Sequence, residues 1–215
     1  IYYKRNRTSE SSGGLFDTDF IAEESSFSGA SGAIVEMKFK MEELSGESRA
    51  YLACGSNRAY DSCDEFYISS TELKYIYNTS SSDYIFSYKW ADIGVNYTDL
   101  ITLRLSSVDK TITINGKAFD CDNAGLSCSW LFSDYYGDSD DGVYEVMRGI
   151  PDMSELYYVK MYDANSNLTY FGHAAKAINP ATGNIEYCWY SDKSGVISYE
   201  FAHNAVEMGG FGGNF

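Results

Sequence analysis

Proline is almost absent from this sequence: Pro151 and Pro180 are the only two in 215 residues. Both stand between strand-like runs. Histidine is equally scarce, limited to His173 and His203. There is no Cys-x-x-Cys, and neither histidine has a partner at ligand spacing, which argues against zinc. No run of about 18 apolar residues occurs, so no helical membrane insertion is expected. No Gly-x-Ser-x-Gly marks a nucleophile elbow, and no glycine-rich phosphate loop precedes a helix. Basic residues are few, 16 against 31 acidic ones, for a net charge of −15. That balance disfavours nucleic acid and anionic membrane surfaces as partners, because both need a basic patch. It suits solubility outside a cell or on a particle. No signal-peptide pattern stands at the start. Opening on Ile1 rather than Met, the sequence is expected to be a processed product or a segment of a longer chain.

Aromatic residues, by contrast, are abundant: 20 Tyr and 12 Phe. Such residues suit pleated, half-buried surfaces. With recurrent Gly, Ser and Asn clusters they punctuate an all-β chain of many short strands. The length fits one large domain with a substantial core. No internal repeat or linker divides it, so one domain is expected over residues 1–205. A glycine-rich tail is expected over 206–215, where MGGFGGNF holds four glycines and suits no regular structure unless a neighbouring copy orders it. The five cysteines are an odd set. Cys54/Cys63 and Cys121/Cys128 each bracket a loop and are candidates for local disulfides; the alternative is small buried hydrophobes in a reduced chain.

The rest is organised around Leu156 to Tyr170. Alternation places Leu156, Tyr158, Lys160 and Tyr162 on one side of a strand, with Tyr157, Val159 and Met161 on the other. Both sides carry large groups, so a strand covered on both faces is expected. Asp163 to Asn167 is a polar turn, and Leu168 to Phe171 begins the return. Ala33 to Met41 alternates an apolar face with a solvated one. Shorter strands are read at 51–55, 65–68, 73–77, 84–88, 185–190 and 196–201. Leu100 to Asn115 is a hairpin, and 118–141 is the least regular part. Val143, Val146, Met147 and Ile150 fit a short helix, while Val143, Glu145 and Met147 equally fit a strand.

Four segments carry a family resemblance. They are Glu10-Ser-Ser-Gly13 with Phe16-Asp17-Thr18; Asn115-Gly116-Lys117; the Leu156–Asp163 strand with its turn; and Asp192, Lys193, Gly195 and Tyr199. Together they resemble laminin-G-like, concanavalin A-like domains of gut bacterial surface proteins and their phages. Asp19 replaces the family's usual Gly, and a Gly-x-Tyr before Asp192 is missing. The resemblance implies an all-β concanavalin A-like jelly roll, a sandwich of two antiparallel sheets. It also implies a non-catalytic attachment module that is extracellular, on a cell surface or on a virion, with a glycan or surface polysaccharide as ligand. A second reading is a structural assembly subunit of a filament, fibre or capsid decoration, which self-associates or attaches to a larger particle. The third is a glycanase. Glycanases of this fold set two carboxylates along one strand, but no Glu-x-Asp occurs and the Asp-x-Asp pairs at 120/122 and 138/140 fall in loop-like stretches.

Sugar recognition needs exposed rings beside hydrogen-bonding groups. The 130–141 segment offers Trp130, Tyr135 and Tyr136 with Asp134 and Asp138. The competing reading packs Trp130 in the core. Asp138, Asp140 and Asp141 gather carboxylates of the kind calcium takes; a solvated acidic loop is the plainer reading. No cofactor is expected beyond a calcium ion at those carboxylates. Asn-x-Ser/Thr triplets at Asn6, Asn78, Asn96 and Asn167 matter only in a glycosylating host.

Overall fold

The computed structural model describes residues 2–5, 34–41, 43–44, 49–57, 62–79, 82–106, 108–120, 130–131, 133–137, 144–148, 153–192, 197–198 and 205–209. In chain order these form β1 Tyr2–Arg5, β2 Ile34–Met41, β3 Arg49–Asn57, β4 Ser62–Ser69, β5 Glu72–Thr79 and β6 Ser82–Lys89, then the short helix α1 Trp90–Ile93. There follow β7 Leu100–Ser106, β8 Thr111–Ile114, β9 Lys117–Asp120, β10 Trp130–Leu131, β11 Ser133–Gly137 and β12 Tyr144–Arg148. The chain continues through β13 Met153–Tyr162, β14 Leu168–Ile178, β15 Ile185–Ser191, β16 Ile197–Ser198 and β17 Ala205–Gly209.

The protein is mostly β, and its sheets are antiparallel. The larger sheet runs β16-β15-β14-β13-β2-β7-β8-β9. β1 joins it beside the start of β13, and β17 pairs with β1. The smaller sheet runs β10-β3-β4-β5-β6, and β11 and β12 form a separate ribbon. Alternation explains the core. β2 buries Val35, Met37 and Phe39 while Glu36, Lys38 and Lys40 stay half-buried on the other face. β7 does the same with Ile101, Leu103 and Leu105, and β8 with Ile112 and Ile114. These side chains share one cluster with Ile68, Leu73 and Tyr75 of the smaller sheet and with Trp90 and Ile93 of α1. Each such side chain contributes roughly 1.5–3 kcal/mol when fully buried.

Polar contacts hold α1 against the smaller sheet and tie that sheet to the larger one. The Trp90 indole N–H donates to the Ser69 carbonyl at 2.9 Å. The Tyr88 hydroxyl donates to the Asp120 carbonyl at 2.6 Å, and its ring lies 4.7 Å from that of Phe119. Strand β6 of one sheet is thereby tied to β9 of the other. At the opposite margin Trp189 is fully buried and its Nε1 donates to the Tyr170 hydroxyl at 2.7 Å. Gly172 makes room for both rings: a β-carbon there would fall against the Tyr170 hydroxyl and sit 2.7 Å from Trp189 Cε2.

The Leu100–Asn115 hairpin is present as β7 and β8, and the chain then turns again. Asn115 and Gly116 have φ of 48° and 84°. Two successive left-handed residues make the tight turn that matches strand twist, and Asn-Gly is its preferred pair. Strand β9 therefore follows directly, where the sequence pattern suggested irregular chain from 118 onward. The Asn115 side chain also accepts from Thr102 N–H at 2.7 Å, bracing the hairpin against β7. Replacing Gly116 with alanine is expected to cost about 1 kcal/mol through the φ of 84° alone, since nothing crowds the added methyl. Thermal melts of G116A against G94A, another left-handed glycine, check this.

Other expectations change. The alternation read for β13 fails at Leu156. Pairing with β2 shifts between Leu156 and Tyr158, a bulge at Tyr157. Leu156 consequently sits opposite Phe39 in the core, and Tyr158 sits opposite Lys38 on the other face. That other face is half-buried among the described residues, not covered like the core. The stretch from Asp134 is not a loop at its start: Ser133–Gly137 pairs with Tyr144–Arg148. Aromatic and β-branched content outweighs the aspartates there, and Tyr144–Arg148 is a strand, while residues 143, 149 and 150 lie outside the described residues. The glycine-rich tail begins as a strand too, since Ala205–Gly209 pairs with Tyr2–Arg5. Cys54 stands opposite Glu65 and Cys63 opposite Ser56. Cys121 and Cys128 lie outside the described residues.

Candidate functional site

The outward face of β2, β13, β14 and β15 carries one cross-strand row. Lys38 is opposite Tyr158, Tyr158 opposite His173, and His173 opposite Tyr190. The next row sets Glu36 opposite Lys160 and Lys160 opposite Phe171. Residues opposite each other in a ladder have their side chains within contact distance. Here the result is a groove of about 760 Å³ over aromatic rings, with Lys38 and Tyr157 at one end and Tyr190 and Asp192 at the other.

The rings form a connected series. Tyr158 meets Phe171 edge-on at 6.1 Å between centroids, Phe171 lies 5.0 Å from His173, and His173 meets Tyr190 edge-on at 5.6 Å. Edge-to-face packing of this kind leaves part of each ring face uncovered. Cations sit among them. Lys160 Nζ lies 4.6 Å from the Tyr158 centroid and 5.1 Å from that of Phe171, while Lys38 Nζ lies 5.3 Å from that of Tyr157. The Tyr158 hydroxyl donates to Glu36 at 2.9 Å, and Lys160 approaches the same carboxylate at 3.7 Å. Burial, and then the neighbouring Glu36, push the Tyr158 phenol well above its ordinary value. It therefore stays a neutral donor across any working pH.

His173 is held at both nitrogens. Nε2 faces Asp192 Oδ1 at 3.1 Å and Nδ1 faces the Ala174 carbonyl at 3.1 Å. The turn carrying Asp192 is anchored by its own N–H to the Phe171 carbonyl at 2.9 Å. Cys188 also lines the groove but is fully buried. Burial pushes its thiol up to about 11. A thiol, an imidazole and a carboxylate thus share the groove without forming a nucleophilic set. The imidazole addresses the carboxylate and a carbonyl, not the sulfur, and nothing generates thiolate.

Cys188 gives a sharp pH expectation. Its folded value exceeds the unfolded one, so its contribution to stability is complete below about 9 and is lost as pH rises through about 11. Native protein at pH 8 should resist alkylation at this residue, and the rate should rise only with unfolding. Rapid labelling of native Cys188 would contradict the burial described.

The candidates drawn from sequence fall elsewhere. Trp130 is in β10, opposite Cys54 in the smaller sheet. Asp134, Tyr135 and Tyr136 are in β11, opposite Met147, Val146 and Glu145. Asp138, Asp140 and Asp141 lie outside the described residues. Among the described residues no group of three or more His, Cys, Asp or Glu is placed to hold a metal. The groove residues Lys38, Tyr158, Phe171, His173 and Tyr190 are not among those candidates. One signal was available: the Tyr-x-Lys-x-Tyr and Phe-x-His alternations leave aromatic and ionisable groups on the same face. Sequence does not say that these strands are neighbours of β2 and β15.

No protein-family model matches the chain, and no curated protein matches it.

Proposed function

We propose that this protein is a non-catalytic, glycan-binding attachment module, a laminin-G-like domain displayed extracellularly on a phage particle or bacterial surface. Its fold in this reading is the concanavalin A-like jelly roll. The hydrophobic cluster shared by two antiparallel sheets and the β6–β9 tie support that architecture. The observation that carries the function is the row Tyr158–His173–Tyr190 with Phe171 beside it, bordered by Lys38 and Asp192. Ring faces suit the apolar face of a pyranose, and the bordering groups suit its hydroxyls.

A glycanase is disfavoured by the same geometry. Asp192, at the end of β15, is the carboxylate that lines the groove, and Glu36, which takes the Tyr158 hydroxyl, comes from β2. Those strands are three spacings apart, about 14 Å, whereas glycoside hydrolysis uses carboxyls about 5–9.5 Å apart. Each is also engaged, by Tyr158 and Lys160 or by His173. The assembly-subunit reading draws on a different feature. Ile178 and Ile185, paired at the end of the β14–β15 hairpin, are 65% and 72% exposed.

A broad array of bacterial and host glycans, probed with and without calcium, tests the proposal. Saturable binding to a restricted set is expected, unaffected by chelator if the groove alone is responsible. Silence across the array, with self-association in solution, would transfer the weight to assembly.

A further inference from the structure

We infer that the ligand of the groove is an acidic saccharide, one bearing a carboxylate or sulfate, with Lys38 as its counter-charge. This inference rests on the glycan-binding reading of the same groove. The chain as a whole repels anions, with 31 acidic and 16 basic residues. On the outward face of β2, β7 and β13 that balance is reversed. Lys38, Lys40, Arg104 and Lys160 gather there in facing register, a quarter of the chain's sixteen basic residues. Opposing them on those strands stand Glu36 and Glu155.

The four cations are not equivalent. Lys160 is matched to Glu36 at 3.7 Å, and Arg104 lies 5.6 Å from the Tyr162 ring. Lys38 lines the groove, and its ammonium rests 5.3 Å from the Tyr157 centroid. Among the described residues it forms no ion pair. A half-buried ammonium at the end of an aromatic platform, lacking a carboxylate of its own, is a position for a ligand anion. The Tyr157 ring holds it there by cation–π attraction, and the Tyr157 hydroxyl is itself anchored to Glu155 at 3.0 Å. A neutral sugar would use the rings but would leave this charge unmatched. At the other end His173 is committed to Asp192 and the Ala174 carbonyl, and Lys176, the other lysine lining the groove, is already engaged, so the anion is assigned to the Lys38 end.

Titration calorimetry on the full chain tests this with matched oligosaccharides: a uronate oligomer, its neutral reduced counterpart, and a sulfated oligomer of the same backbone. The acidic forms should bind roughly tenfold or more tighter than the neutral one, the size of one charge-assisted contact. The difference should shrink in high salt. K38Q should erase the preference while keeping neutral-sugar binding, K38R should retain it, and K117Q on β9 should behave as wild type. Uronate against sulfate then separates the two anion chemistries. Equal affinity for neutral and acidic forms, or a preference that survives in folded K38Q, overturns the inference and leaves the glycan reading standing. Failure of every saccharide, neutral ones included, removes both.

Discussion

Replacing Trp189 with alanine is expected to lower the unfolding free energy by about 3–5 kcal/mol, a large share of a domain's typical 5–15 kcal/mol. Three observations set the size. The side chain is fully buried and is among the largest so placed. It belongs to the cluster common to both sheets. Its indole N–H donates to the Tyr170 hydroxyl at 2.7 Å, so truncation removes a buried hydrogen bond as well as opening a cavity. In a chain of this length the melting temperature should fall by roughly 10 °C. W189F should cost markedly less. The neighbouring G172A should cost about 1–3 kcal/mol in the wild type through overpacking, because its methyl meets the indole. In the W189A background that cost should shrink in part, since the indole is gone while the Tyr170 hydroxyl still stands against the methyl. Denaturant melts of the two single variants and the double variant measure this coupling. Additive losses would mean that the two residues do not share the packing described.

Replacing Tyr190 with alanine should do the reverse: little to stability, much to binding. Its ring is half-buried, lines the groove and touches His173 edge-on at 5.6 Å. It lies outside the hydrophobic cluster. Loss of this platform should weaken glycan affinity by roughly 10- to 30-fold, about 1.5–2 kcal/mol, as for a central aromatic anchor. The melting temperature should move by only a few degrees. Y158F separates ring from hydroxyl. It keeps the stacking surface and removes the hydroxyl's hydrogen bonds with Glu36 and Thr102, so its binding loss should be smaller than that of Y190A. Unchanged affinity in a folded Y190A variant would place the ligand elsewhere.

The sequence made the fold's elements readable wherever local chemistry decides them. The alternation of β2 and β7 marks their buried faces without ambiguity. The polar turn after β13 is equally local: Asp163 accepts from the N–H groups of Asn165 and Asn167 at 2.9 and 2.8 Å and from the Asn167 side chain at 2.9 Å. Those donors hold the Asp163 carboxyl below its usual range, chiefly through Asn167. The turn's stabilisation is therefore present above the ordinary carboxylate pKa and is lost in acid.

What stayed hidden depends on pairing between distant segments. A one-residue bulge at Tyr157 moves Leu156 into the core and leaves Tyr158 outside, and no period-2 pattern reports a bulge. The groove needs β2, from the first quarter of the chain, beside β13 to β15 near its end. Each contributes one or two unremarkable polar-face residues. Aspartate-rich composition also drew attention to 134–141, although the first four of those residues extend a strand that pairs with β12.

The decisive measurement is a crystal structure of the chain with the tightest oligosaccharide from the array. Sugar rings stacked over Tyr158, Phe171 and Tyr190, with an acidic substituent within about 3 Å of Lys38 Nζ, are the predicted result. A sugar bound on the β11–β12 ribbon, or anywhere that leaves this groove empty, would contradict it.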